Sequence, residues 1–247
     1  MKKAIIVGAS SGIGKELVRV LSRNNYIVGM VARRVELLSE LQGKIDSKSY
    51  IKQIDISRTD EARAKLNELI EEMDGVDVAI ISAAVFLENP DLDWNLDKNT
   101  IDTNVSGFCA ALNVFFGYFL KKGSGHIMGI SSIASHRGDH LYTSYYASKA
   151  FVSNYLEGLQ KRIIMKGLNI QITNIEPGFV DTPMIKNIQN PTSVMSAEEA
   201  ALQIYGAIEK NKDHLFITKQ WRIFLWMRKI MPWWLYKKLS MRKHSGL

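Results

Sequence analysis

Tyr145 and Lys149 stand four residues apart in the run from Ile130 to Ala150, ISSIASHRGDHLYTSYYASKA. On a helix, positions i and i+4 share a face, so the phenol and the amine can reach one point in space. A free tyrosine titrates near pH ~10, too high for acid–base work at neutral pH. A cation beside it favours the phenolate and lowers that value, which a general acid for a carbonyl oxygen needs. Ser132, upstream in the same run, adds a hydroxyl able to hold a substrate oxygen. An ordinary surface helix with a tyrosine and a lysine would read the same way. The pair gains meaning only from the rest of the chain.

A reactive pair needs a frame, and the N-terminus supplies the first part of one. Residues 3–7 (KAIIV) form a short apolar run, and residues 12–24 continue with helical spacing. Between them lies Gly8-x-x-x-Gly12-Ile13-Gly14. A strand, glycine loop and helix in this order form the phosphate-binding unit of a doubly wound sheet. Gly8 permits the tight turn, Gly12 lets a pyrophosphate approach the backbone, and Gly14 lets helix and strand pack closely. The helix start offers unpaired N–H groups to phosphates, and Ser10 and Ser11 add hydroxyl donors. A second strand near 26–31 leads into Ala32-Arg33-Arg34. NAD-preferring sites carry an acidic residue at such a strand end to bind the ribose 2′-hydroxyl. Here alanine and two arginines stand instead, and guanidinium pairs with phosphate through a planar fork, so NADP(H) is the expected cofactor. A solvated basic helix start is the competing account of Arg33 and Arg34.

The ordered set of Gly8, Gly12, Gly14, Asn104, Ser132, Tyr145 and Lys149 resembles the short-chain dehydrogenase/reductase family over roughly residues 1–218. The resemblance implies an α/β Rossmann fold, a doubly wound parallel sheet between two helical layers. It implies hydride transfer between NADP(H) and a carbonyl or alcohol. Tyr145 would donate the proton in reduction, with Lys149 lowering its pKa and binding the nicotinamide ribose. Ser132 would fix the carbonyl oxygen, and Asn104 would hold a relay water. Asp55 would meet the adenine edge and Ile56 its ring, while the backbone at Ala83 and Ala84 would meet the ribose. Pro177, Gly178, Val180 and Thr182 fall in the segment that holds the nicotinamide carboxamide. Two departures stand out: Ser82-Ala83-Ala84 replaces the family's Asn-Ala-Gly, and Val7 replaces its usual threonine. The first puts local support of the sheet in doubt. A sensor or scaffold that binds NADP(H) without turnover is the alternative function. The helix expected over 143–166 often forms a homo-oligomer interface in the family, and core packing is its competing use.

Further elements are expected as strands over 50–55, 76–81, 125–131, 168–175 and 214–218, and helices over 58–73, 97–121 and from Ser196. Residues 183–196 read as a lid over the substrate, with Pro183, Asn187, Asn190 and Pro191 breaking regular structure. The loop residues His136, Arg137, Asp139 and His140 read as solvated, with a place on the pocket rim as the alternative, and Tyr146 as packing or pocket wall. Asn104 taken alone would read as solvent-facing.

The chain has 247 residues, 46% hydrophobic and 23% charged, which suits one globular domain with a full core. Its single cysteine excludes an internal disulfide and suits a reducing compartment, so a cytoplasmic location is expected. The five histidines show no metal-ligand spacing, and no metal is expected. The net charge of +7 arises in the tail. From His214 to Leu247 there are eight Lys/Arg and no Asp/Glu, leaving the first 213 residues at −1. Residues 219–247 read as a basic, Trp-rich amphipathic extension that is not an independent domain. Its longest charge-free runs are five and seven residues, short of the ~20 needed to span a bilayer. Contact with an anionic membrane surface, at the inner membrane face, weighs evenly with cover over the active site or a subunit interface. Nucleic acid is not an expected partner, since no nucleic-acid fold accompanies the charge.

Overall fold

The computed structural model describes residues 1–186, 188, 193–217 and Pro232. The expected lid residues Asn187, Asn190 and Pro191, and the tail from 219 apart from Pro232, lie outside the described residues.

Short apolar runs bounded by glycine or polar turns form the strands. β1 (Lys3–Val7), β2 (Ile27–Ala32), β3 (Ser49–Gln53), β4 (Val78–Ile81), β5 (Gly125–Ile130) and β6 (Ile170–Pro177) alternate with helices. These are α1 (Gly12–Arg23), α2 (Val35–Gln42), α3 (Thr59–Glu72), α4 (Trp94–Ile101), α5 (Phe108–Lys122) and α6 (Thr143–Lys166). Two-residue strands β7 (Val180–Asp181) and β8 (Met195–Ser196) pair with each other; α7 (Ala197–Glu209) and β9 (His214–Ile217) follow. The seven-stranded sheet runs β3-β2-β1-β4-β5-β6-β9, parallel at every pairing. The order reverses between β1 and β4, and ligands of open α/β sheets bind outside the strand ends at such a switch point.

Both faces of the sheet are covered, which is why its strands are near-continuously apolar. One core joins α3, α5 and α6 through residues such as Leu66, Leu69, Phe115, Phe119 and Leu156. The other joins α1, α2 and α7 through Leu17, Leu21, Leu38 and Ile204. The three-layer Rossmann architecture expected from the sequence is the one observed.

Three boundaries differ from expectation for physical reasons. β3 stops at Gln53, because Asp55 folds its carboxylate onto the Ser57 N–H (3.0 Å) and hydroxyl (2.7 Å), an Asx-type turn. β6 runs on through Pro177, because Glu176 and Pro177 register with Phe216 and Ile217 of β9. The helix expected over 97–121 spans Trp94–Lys122 and is interrupted by a π-helical stretch, Asp102–Gly107. A π-turn inserts an extra residue into the helix and is frequent at functional sites. This long helix is apolar enough by composition to cross a membrane, yet it is a core helix with Phe115 and Phe119 wholly buried. The helix from Ser196 opens with the expected capping box, Ser196 and Glu199 bonding each other's backbone N–H.

Candidate active site

The glycine loop closes against the switch point. Gly8 takes a left-handed φ of +96°, and a Cβ there would lie 2.6 Å from the Ala83 nitrogen. A Cβ at Gly14 would overlap the Gly8 carbonyl oxygen. Both positions therefore demand glycine. The loop is tied to β2 through the Val31 carbonyl, which accepts from Gly8 N–H (2.8 Å) and Ala9 N–H (3.0 Å). The doubt over Ser82-Ala83-Ala84 is answered by main-chain bonds: Ser82 and Ala83 N–H both donate to the Val7 carbonyl, at 2.8 and 2.9 Å. β4 thus needs no asparagine side chain to stay against β1. Ser11 is the N-cap of α1 without using its side chain, and the first turn holds no acidic residue, so the helix start faces the cleft uncompensated.

Arg34 reaches back to this loop. Its Nη2 donates to the hydroxyl oxygens of Ser10 (3.0 Å) and Ser11 (3.1 Å), leaving both hydroxyl protons to donate elsewhere. Arg33 is exposed, with its carbonyl held by Gln53 Nε2 at 2.9 Å. No carboxylate stands among the residues of this strand end.

One cleft runs from this basic end to the reactive pair. Gly8, Ser10, Ser11, Gly12, Ile13, Arg33, Arg34, Asp55, Ile56 and Ala83 line its first part. Ser132, Tyr145, Lys149, Pro177, Gly178, Val180 and Thr182 line the rest, with Met184 and Ile185 at its mouth. Of the predicted site residues, Gly14 and Asn104 lie behind this lining. Glycine cradle, open helix N-terminus and paired arginines together fit a phosphate-bearing dinucleotide.

Tyr145 is buried, and Ser132 lies beside its phenol, where the hydroxyl favours the ionised form. Ser132 is also the N-cap of the 3₁₀ turn Ile133–His136, its oxygen accepting from Ala134 N–H at 3.1 Å. The expectation that Lys149 lowers the phenol's pKa is not met. Burial pushes Tyr145 up to about 12, against the opposing Ser132 hydroxyl. Burial also pulls Lys149 down to about 8. The ammonium donates to the Ile130 carbonyl at 2.9 Å and stands 5.6 Å from the centre of the Tyr145 ring. Desolvation opposes charge on both groups, and neither compensates the other.

Asn104 also departs from the solvent-facing expectation. It is buried within the π-helical stretch, its Oδ1 accepting from Val85 N–H (2.8 Å) and its Nδ2 donating to the Val85 carbonyl (2.9 Å) and Ser148 Oγ (3.1 Å). It staples the loop after β4 to the helix carrying Tyr145. Further on in that loop, Phe86 stacks on Tyr142 (4.1 Å, 10°) and meets Tyr145 edge-on (4.6 Å, 86°). Tyr146 meets Tyr145 edge-on from α6, at 6.0 Å. Sequence reasoning missed Phe86 and Tyr142, since isolated aromatics carry no spacing that marks them.

It also missed Glu176 as a site residue and read His136 as solvated. Glu176 is buried, and its Oε2 lies 2.7 Å from His136 Nε2. Burial would raise its pKa, but bonds from His136 and His214 prevail and hold it at about 2. An acidic residue at a strand end, directly before Pro177 and Gly178, could have drawn attention to it.

The family profile for short chain dehydrogenase matches residues 2–193. An uncharacterized oxidoreductase of Staphylococcus saprophyticus is 32% identical over 204 residues, covering 80% of this chain and 82% of that protein. One from Myxococcus xanthus is 28% identical over 237 residues, covering 94% and 93%. Among solved structures, a short-chain type dehydrogenase/reductase from Mycobacterium marinum superposes with a TM-score of 0.78 at 22% identity, covering 87% of this chain and 93% of that one. ElxO with NADP bound gives 0.78 at 20% identity, covering 87% and 96%. The closed form of a serine dehydrogenase complexed with NADP+ gives 0.77 at 23%, covering 87% and 94%.

Proposed function

Because the chain belongs to the short-chain dehydrogenase family, we propose that it moves a hydride between NADP(H) and a carbonyl or alcohol substrate. The observation that carries this is a single cleft lined by the glycine loop, the two arginines, Ser132, Tyr145 and Lys149. Two of the structural neighbours have NADP or NADP+ bound, which supports the same cofactor here.

When bound, the cofactor supplies the hydride. The chain's own residues bind, orient and move the proton. The α1 N-terminus, Ser10 and Ser11 take the phosphates, and Arg33 and Arg34 take a 2′-phosphate. Asp55, Ile56, Gly8 and Ala83 frame the adenosine, with Ile13 and Gly14 completing the loop. Pro177, Gly178, Val180 and Thr182 hold the nicotinamide end. In the reductive direction Ser132 and Tyr145 hydrogen-bond the carbonyl oxygen. The phenol proton passes to that oxygen as the carbon is reduced, giving the alcohol. Lys149 sits beside the phenol to restore its proton. Asn104 acts by holding Val85 and Ser148 in place. The wall of Phe86, Tyr142 and Tyr146 favours a substrate with an apolar or aromatic group next to its carbonyl.

Homo-oligomerisation through α6 is part of the proposal. Phe151 and Tyr155 stack on one another (5.5 Å, 19°), and Phe151 is 39% exposed. A peripheral membrane role for the tail belongs to residues outside those described.

Calorimetric titration with NADPH and NADH, followed by NADPH oxidation against short, aromatic and long-chain carbonyls, tests the reading. Tight NADPH binding with turnover of one compound supports it. Binding without turnover across the panel would instead favour an NADP(H)-binding sensor or scaffold.

A further inference from the structure

Glu176 is a buried carboxylate for which the proposed chemistry has no use, and burying an ionised group is costly unless it is paired and hydrogen-bonded. Its surroundings give it a use. Oε1 accepts from Ser153 Oγ of α6 (2.9 Å), Asn174 Nδ2 of β6 (3.3 Å) and Ser135 Oγ (3.4 Å). Oε2 faces His136 Nε2 at 2.7 Å and His214 Nε2 of β9 at 3.6 Å. His214 is itself stacked on Phe216 (4.3 Å, 25°), so the group is braced from the sheet edge.

Ser135 and His136 are the last two residues of the 3₁₀ turn that Ser132 caps. That turn is therefore gripped at both ends. At its start, the neighbouring Ser131 bonds the Lys149 carbonyl (3.0 Å) and Ser153 Oγ (2.8 Å). At its end, Ser135 and His136 bond Glu176. Ser153 joins the two grips, since it contacts both Ser131 and Glu176. The network's proton count is revealing. Ser131 and Ser153 own one hydroxyl proton each, yet three contacts call for a proton: Ser131 to Lys149, Ser131 with Ser153, and Ser153 to Glu176. Glu176 is acceptor-only when ionised and cannot supply the third, so it relies on His136 and Asn174 as donors. On the other side, Glu176 directly precedes Pro177 and Gly178, which line the cleft.

We propose that Glu176, held by His136, is a positioning residue. One buried carboxylate sets both the turn that presents the Ser132 hydroxyl and the strand end that enters the cleft at Pro177–Gly178. This inference rests on the function proposed above for Ser132, but its structural half does not. A displacement of about 1 Å at a reacting centre can cost on the order of 100-fold in rate, so a brace remote from the substrate can govern kcat.

The test uses the full chain with His136→Ala and His136→Gln, because removing Glu176 itself takes an acceptor from Ser153, Asn174, Ser135 and His136 at once and endangers folding. Glutamine can place an amide N–H where Nε2 stands. His136→Ala is expected to lower kcat at least tenfold with the Kd for NADPH within twofold, and His136→Gln to recover most of the loss. Amide exchange, read by mass spectrometry without substrate, is expected to quicken over residues 131–137 and 178–181 in His136→Ala alone. Equal kcat in wild type and His136→Ala would overturn the proposal. So would a loss that glutamine does not restore, or exchange at 178–181 that does not change. If the wild type turns over nothing, the function proposed above fails, while the exchange result still decides whether Glu176 braces both segments.

Discussion

Lys149 donates an ammonium N–H to the Ile130 carbonyl at 2.9 Å while Tyr145, one helical turn earlier, stands with Ser132 beside its phenol. The two side chains share a face of α6, as i and i+4 spacing requires, but burial decides their charge. It drives the phenol toward its protonated form and the amine toward its neutral form. Burial thus works against charge on both groups.

Tyr145→Phe removes the donated proton and keeps the ring that packs edge-on against Phe86. Turnover is expected to fall about 10²–10⁴-fold, the usual worth of a positioned general acid. NADPH affinity, measured by calorimetry, should stay within twofold. Substantial remaining turnover would remove Tyr145 from the mechanism.

Lys149→Met is expected to stabilise the protein at pH 7 while abolishing turnover. The folded pKa of about 8 lies below the ordinary lysine value of 10.5. Between these values the unfolded chain binds the extra proton, so wild-type stability rises with pH across that window. Below pH 8 the full cost of the buried ammonium applies, on the order of 3 kcal/mol. Methionine fills similar space without charge. Thermal melts of both proteins should differ most below pH 8 and converge toward pH 10.5. A less stable variant at pH 7 would mean that the Ile130 bond outweighs desolvation.

Arg33→Asp separates the two cofactors. A charged hydrogen bond to phosphate contributes about 1.5–3 kcal/mol, so NADPH should weaken on the order of 10- to 100-fold. NADH, with a free 2′-hydroxyl, should hold or gain affinity, as an aspartate at this strand end can accept from it. Equal losses for both would return Arg33 to a solvated helix start.

Most of this frame could be read before any coordinates. Apolar runs between glycine and polar turns gave the strands, and Gly8 and Gly14 stand where a side chain has no room. The limits were tertiary. A helical pattern continuous through Asn104 hides the π-turn that buries it against Val85 and Ser148, because periodicity does not register an extra residue in the helix. The rule that a nearby cation lowers a tyrosine's pKa assumed a solvated charge aimed at the ring. Burial of both groups, and a carbonyl within reach of the amine, reversed the outcome. His136 and Glu176 are 40 residues apart, and only the β6–β9 pairing brings His214 to the same carboxylate.

That carboxylate predicts an acid limit to stability. Glu176 is held at about 2 by His136 and His214 despite its burial, against an ordinary glutamate value of 4.5. A folded pKa below the unfolded one means that the unfolded chain binds the proton first as pH falls. The stabilisation is therefore complete above pH 4.5 and lost progressively between 4.5 and about 2, on the order of 3 kcal/mol in all. Glu176→Gln cannot titrate and should lack this part of the acid slope. Its melting temperature should lie below that of the wild type at pH 7, because the amide nitrogen cannot accept from Ser153 and Asn174. The gap should narrow as pH falls below 4.5 and close only near pH 2. Parallel melting curves for the two proteins from pH 7 to pH 3 would show that Glu176 exchanges no stability with protons, and that its histidine partners act as packing alone.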